Sequence, residues 1–236
     1  MLKFSKTSLS LFVLTGILFF TFQVWGHDAW VEPTMGPVYR ILYGHKVPEA
    51  YKARKVTDIK VLDANQRLLT YSRTETKDGM NIKTAGGTPA IFAVEYDNGY
   101  WVKVGGESQN VRKSQMPAGT EPSRLFKFSK TIVNWQPWMS RPFGQRIEFV
   151  PVKAAAAPKA GTQLKLQLLL DGKPMGGQRV ENNSNEQGPK TDAAGFVTVT
   201  VLKGINRYAT DYDISQPHDP DAQRLSLTAA LVFTAK

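Results

Sequence analysis

The sequence of 236 residues contains no cysteine and only three histidines. The absence of cysteine excludes disulfide bonds, thiol catalysis, cysteine-ligated zinc and iron–sulfur clusters. Chemistry that needs imidazole must therefore use His27, His45 or His218. The GxSxG, GxxxxGK[ST] and HExxH motifs of serine hydrolases, P-loop proteins and zinc proteases are also absent. These absences favour a binding protein over an enzyme.

The first 26 residues have the layout of a secretory signal peptide. Lys3 and Lys6 precede an uncharged apolar run at 9–22, and a short segment ending in Gly26 follows. We expect cleavage after Gly26 and export of the mature chain. An uncleaved membrane anchor is the alternative, although the apolar run is shorter than the about 20 residues that span a bilayer comfortably.

The chain is basic, with 30 Lys and Arg against 20 Asp and Glu and a formal net charge of +10. For an exported protein we expect no nucleic-acid partner. The basic surface then either contacts anionic lipid head groups or an acidic partner, or it only supports solubility.

Alternation of apolar and polar residues predicts an all-β protein. Leu164, Leu166 and Leu168 alternate with more polar residues, which is typical of a half-buried strand. Turn signals at 171–172 and 191–195 separate this strand from the next ones. Five or six short strands within 162–236 predict an immunoglobulin-like β-sandwich.

The remaining sequence predicts a second β-rich part. Strands are predicted at 38–43, 58–62, 68–72, 90–96 and 101–104. The pattern Asp-Asn-Gly at 97–99 predicts a hairpin turn, 123–133 a short helix, and 107–122 an exposed loop. The Ala- and Pro-containing segment 153–161 is a candidate linker, so we expect a two-part β-sandwich architecture, 27–152 and 162–236.

Cleavage after Gly26 would make His27 the first residue, which gives it two neighbouring nitrogen donors. Its α-amine and its ring Nδ1 can close a six-membered chelate on one metal ion, and both groups lose protons near neutral pH. Imidazole suits nickel, cobalt, copper and zinc. His45 is a candidate second imidazole, or an ordinary loop histidine. Glu49 can add a carboxylate, and Asp28 can act as a ligand or as an acceptor that orients an imidazole.

Two further features have a functional and a structural interpretation. His218 lies in a Pro- and Asp-rich loop; it is a third ligand if the two parts pack face to face, and a solvent-facing residue otherwise. Trp135 and Trp138 can stack on a sugar or anchor a partner, but an aromatic pair of this kind is more often part of the core.

Several motifs resemble those of the DUF4198 family, periplasmic proteins described as components of nickel or cobalt uptake systems. They are HDAWVEP at 27–33, Gly44-His45 followed by Pro48-Glu49, DGKP at 171–174 and TDAAG at 191–195. The resemblance implies an exported, all-β, two-part protein that handles a divalent transition metal. His27 and His45 match the family's histidine-bearing motifs, whereas His218 matches none.

Three functions remain open from the sequence. The first is a periplasmic protein that captures Ni²⁺ or Co²⁺ at His27, with His45, Glu49, Asp28 and His218 as further candidate ligands, and presents the ion to a membrane metal transporter. Cu²⁺ is the chemical rival, because divalent affinity generally peaks at copper. The second is a non-enzymatic adhesion or ligand-binding module without metal. The third is a copper oxidase built on the N-terminal histidine.

Overall fold

The computed structural model describes residues 27–45, 47–111, 113–116, 119–153, 155–183, 187–216 and 220–236. Within these ranges the chain forms fifteen β-strands and three short 3₁₀ helices. The strands are β1 (Asp28–Pro33), β2 (Val38–Gly44), β3 (Val56–Asp63), β4 (Thr70–Thr76), β5 (Gly79–Ala85), β6 (Pro89–Val104), β7 (Glu107–Asn110), β8 (Ser123–Ile132), β9 (Ile147–Pro151), β10 (Gln163–Leu170), β11 (Lys173–Pro174), β12 (Glu181–Asn182), β13 (Phe196–Thr200), β14 (Gly204–Ser215) and β15 (Arg224–Ala235). The helices are Ala53–Lys55, Lys113–Gln115 and Pro137–Ser140. The predicted all-β class is confirmed. None of the helices in the described ranges is long and apolar enough to cross a membrane.

The strands form three sheets. One is a four-stranded antiparallel sheet with the order β1-β2-β5-β4. The largest has seven strands, in the order β12-β14-β15-β8-β6-β3 with β7 paired to β6, and β8 and β15 run parallel within it. The third is built around β10, which pairs with β9, β11 and β13.

The seven-stranded sheet is the middle layer of the molecule and is buried on both faces. On β6, Ile91 packs into the core shared with β9, β10 and β13. Phe92 and Val94, on the opposite face of the same strand, pack into the core shared with β1, β2 and β5. This alternation is the period of two that places successive side chains on opposite faces of a strand. The four-stranded sheet therefore covers one face of the middle layer, and the sheet around β10 covers the other.

The predicted helix at 123–133 is wrong, because this segment is β8, a central strand between β6 and β15. Two of its lysine side chains lie inside the protein and are paired there. Lys127 Nζ donates to Thr228 Oγ1 at 2.7 Å, and Lys130 Nζ donates to Glu148 Oε2 at 2.6 Å. A strand buried on both faces with polar residues on each does not show simple alternation, so its sequence was misread as a helix.

The predicted hairpin turn at 97–99 is also wrong. β6 continues through it, and the register against β8 shifts between Asp97 and Gly99. Gly99 adopts a φ of +84°, and its N–H donates to Asp97 Oδ1 at 2.9 Å. The same local signals therefore form a β-bulge, at which Asn98 is buried. The chain reverses instead after Val104, where β7 begins the segment predicted as a loop.

The candidate linker at 153–161 connects two strands that pair with each other, β9 and β10. Each sheet that contains strands from 162–236 also contains strands from 27–152, as in the pairing of β8 with β15. The predicted boundary therefore separates strands that are neighbours in the folded chain. The other predicted strands overlap β2, β3, β4 and β6 before the linker, and β10, β12, β13, β14 and β15 after it.

Candidate metal and ligand cleft

The pairing of β1 with β2 positions the candidate site. Asp28 is the Cα partner of Gly44, so His27 stands at the end of the ladder. The chain then turns, and the N–H of Glu49 donates to the carbonyl oxygen of Tyr43 at 2.7 Å. Gly44 has a φ of +150°, and a Cβ on it would lie 2.2 Å from the Val47 carbonyl oxygen. Only glycine fits this turn, which returns Glu49 to the end of β1.

His27 and Glu49 form the central contact of the site. His27 Nε2 lies 2.7 Å from Glu49 Oε1, and their side chains are 35% and 49% exposed. A carboxylate only accepts hydrogen bonds, so Nε2 carries a proton in this contact and Nδ1 is the ring nitrogen left for a metal ion. The imidazole also stacks on Tyr43, with ring centroids 5.3 Å apart and planes inclined by 13°. The ring is thus held in plane and in tautomer while it stays accessible.

Three tyrosines, Tyr43, Tyr51 and Tyr96, form an aromatic cluster that contacts His27 through Tyr43. Tyr43 stacks on Tyr96 at 4.6 Å, and Tyr51 packs against Tyr96 edge-on at 5.5 Å. Burial raises the pKa of all three phenols, so they stay protonated. Asn98 Nδ2 donates to the Tyr43 hydroxyl oxygen at 3.0 Å, which ties the bulge of β6 to this cluster.

Lys55 lies on the other side of Asn98. Its Nζ donates to Asn98 Oδ1 at 2.8 Å and lies 5.8 Å from the Tyr96 centroid and 5.9 Å from that of Trp101. Burial lowers the pKa of Lys55, and Arg54 adds to this effect while Asp97 opposes it. Contacts through Tyr43 and Asn98 therefore connect His27 to a half-buried ammonium group.

His27, Glu49 and Lys55 all line one cleft of about 1550 Å³. Its walls come from the four-stranded sheet and from β6, β8 and β14 of the middle layer. This volume exceeds that of typical small-molecule pockets, about 300–1,000 Å³. The cleft therefore offers room for a ligand beside the histidine.

Asp28 lies apart from His27, as expected for successive residues of a strand. It is 6% exposed, and none of the described residues makes a hydrogen bond with its Oδ1. Burial raises the pKa of Asp28 to about 7; Lys127 and Arg207 oppose the rise, and Asp211 supports it. Asp28 therefore belongs to a buried charge cluster between β1 and the middle sheet.

The structure brings two of the five candidate ligands into contact, His27 and Glu49. His45 follows Gly44 at the same end of the β1–β2 ladder and is partly exposed. His218 lies outside the described residues, as does the predicted signal peptide at 1–26. Among the described residues, no three His, Asp or Glu side chains are arranged to share a metal ion.

The sequence did not single out Tyr43, Tyr96, Asn98 or Lys55. Asn98 was assigned to a turn, and the others carry no local signal, because contacts between β2, β6 and the helix Ala53–Lys55 bring them together. Trp135 is buried and packs edge-on against Phe233 at 5.1 Å, which confirms the core interpretation for it.

Comparison with known proteins shows the family of the chain. Residues 24–205 match the family described as a domain of unknown function, DUF4198. A protein of Haemophilus influenzae described as uncharacterized is 26% identical over 212 residues, which cover 89% of this chain and 91% of that protein. No solved structure matches the chain. Because the match spans most of its length, the chain belongs to the DUF4198 family.

Proposed function

We propose that the mature protein is a periplasmic binding protein for one divalent transition-metal ion, Ni²⁺ or Co²⁺, and that it is not an enzyme. The ion is held by the α-amine and Nδ1 of His27. The observation that supports this proposal is the 2.7 Å contact between His27 Nε2 and Glu49 Oε1. It occupies the ring nitrogen that the chelate does not use.

Glu49 has the role of an orienting group in this proposal. A ligating histidine usually donates its second ring N–H to a carboxylate or carbonyl, which fixes the tautomer and raises the basicity of the other nitrogen. Glu49 accepts such a bond, and Tyr43 holds the ring plane by stacking. Nδ1 is then the ring nitrogen left for a chelate with the α-amine that cleavage at Gly26 would free.

We assign the second imidazole to His45, since it follows Gly44 at the end of the same ladder. Asp28 is left out of the donor set, because its side chain is buried in another cluster. His218 stays a prediction as a third imidazole. Cu²⁺ is expected to bind this donor set at least as tightly in vitro, so selectivity for nickel or cobalt depends on metal supply and on delivery to a membrane transporter.

Calorimetric titration of the mature protein, with its first residue verified by intact mass, tests the proposal. We expect one tight site for Ni²⁺ and Co²⁺ that His27→Ala abolishes and His45→Ala weakens. Asp58→Asn, an exposed substitution on β3, is the control and should bind as the wild type does. Unchanged affinity in both histidine variants would contradict the proposal. Reduced nickel accumulation in cells that lack the protein, restored by the wild type and not by His27→Ala, tests delivery.

A further inference from the structure

The metal site proposed above is short of protein donors. The α-amine, His27 and His45 supply three nitrogens at most, and among the described residues no three His, Asp or Glu side chains converge on one point. Ni²⁺ with nitrogen and oxygen ligands takes square-planar or tetragonal geometry, which needs at least about four donors. Water or a second molecule must supply the others, and the cleft of about 1550 Å³ beside His27 has room for such a molecule.

The same cleft holds Lys55, which makes no direct ion pair with any described carboxylate. Within the described part of the chain no carboxylate oxygen lies within 4 Å of Lys55 Nζ, and one amide oxygen, from Asn98, accepts a hydrogen bond from it. An ammonium group has three N–H donors, and a half-buried one without an anion is poorly compensated. Lys55 therefore presents unused donors and charge to the cleft.

Some of the other charged groups of the cleft differ from Lys55, because they pair with one another. Lys127 Nζ lies 3.8 Å from Asp211 Oδ1. Arg224 lies 3.8 Å from Glu121 and 3.5 Å from Asp213. Three lysines that line the cleft, Lys52, Lys77 and Lys103, have no such contact with the described carboxylates, and basic side chains outnumber acidic ones among the residues that line it.

We propose that this cleft binds a small polycarboxylate, one carboxylate of which pairs with Lys55 while others complete the coordination of the metal ion on His27. The inference rests on the proposed function and names the form in which the metal is bound: a chelate, not the bare ion. Carboxylates serve both ends, because they accept charge-assisted hydrogen bonds from lysine and also ligate divalent ions. Tyr96 and Trp101, over whose rings Lys55 lies, also line the cleft.

Equilibrium dialysis of the mature protein with Ni²⁺ and radiolabelled citrate tests the inference. Nickel alone, citrate alone, the two together, and nickel with acetate at equal carboxylate concentration are compared. In the wild type we expect one retained citrate for each bound nickel. Acetate should not change the amount of nickel that the protein retains. Lys55→Gln should retain nickel alone as the wild type does, and should lower citrate retention at least about tenfold, as expected for one lost charge-assisted hydrogen bond. Lys173→Gln, an exposed lysine outside the cleft, is the matched control.

The two proposals fail in different arms of the experiment. Nickel retention without citrate retention overturns the polycarboxylate inference and leaves the proposed function intact. Citrate retention that is equal in the wild type and in Lys55→Gln also overturns the inference. Absence of nickel retention in every arm overturns the proposed function, and the inference with it.

Discussion

A buried ion pair between β8 and β9 gives a quantitative test of the packing. Lys130 Nζ donates to Glu148 Oε2 at 2.6 Å, and the two side chains are 3% and 1% exposed. Glu148 also accepts hydrogen bonds from the N–H groups of Phe143 and Gly144, at 2.9 Å each at the nearer oxygen. Lys130→Met would leave this carboxylate buried without a counter-ion. Breaking one partner of such a pair costs about 3–5 kcal/mol of unfolding free energy.

The double variant tests whether the loss of stability comes from the unpaired charge. In Lys130→Met/Glu148→Gln the glutamine oxygen still accepts from the Phe143 and Gly144 N–H groups, and no charge is left buried. Replacing a buried pair by neutral groups of similar volume is often close to neutral, so we expect a loss of less than about 2 kcal/mol. Urea unfolding followed by far-UV circular dichroism measures both values.

Lys60→Met is the control for this pair, because Lys60 makes an exposed contact with Asp58 at 4.0 Å. Its effect should stay within about 1 kcal/mol. The reasoning is refuted if Lys130→Met costs less than about 1 kcal/mol, or if the double variant is less stable than Lys130→Met alone. Either result would show that Glu148 does not depend on Lys130 for its burial.

Three further variants test the site and its support. Glu49→Gln should weaken Ni²⁺ affinity about 10–100-fold in calorimetry while the fold is retained, because it removes the anionic acceptor of the histidine N–H. Gly44→Ala should lower the unfolding free energy by about 1–3 kcal/mol more than Gly86→Ala does, since both glycines have positive φ but only a Cβ on Gly44 meets a carbonyl oxygen. The raised pKa of Asp28, about 7 against 3.8, means that the neutral acid is favoured in the folded state, so wild-type stability should fall as pH rises from about 4 through 7. Urea titrations with a chelator present measure this decrease in unfolding free energy. It should be about 4 kcal/mol smaller in Asp28→Asn than in the wild type, and unchanged in Asp58→Asn.

The strands were largely predictable, because most have one regular buried face. Leu164, Leu166 and Leu168 alternate as predicted and lie in the core. The two local errors share a cause, which is that distant strands decide the outcome. Segment 123–133 is a strand because β6 and β15 flank it, and 97–99 is a bulge because β8 pairs across it.

The candidate site was predictable only where neighbours in sequence build it. His27 and Glu49 come together through one hairpin and one tight turn. The sequence indicated both residues as candidate ligands, but it predicted neither β1 nor their direct contact. Lys55 reaches the cleft from the segment before β3, and Asn98 reaches it from β6. They are far apart in sequence, so the sequence did not reveal their contact. Periodicity and motifs do not encode such contacts.

The role of the His27 α-amine is the central claim, and shifting that amine tests it most directly. Mature protein that begins at His27 and protein with one additional alanine before His27 have the same side chains, including the ring and Glu49. If the amine and Nδ1 form a chelate, the added residue should lower Ni²⁺ affinity more than about 100-fold, beyond the usual effect of losing an outer partner. Equal affinities in the two proteins would contradict the account.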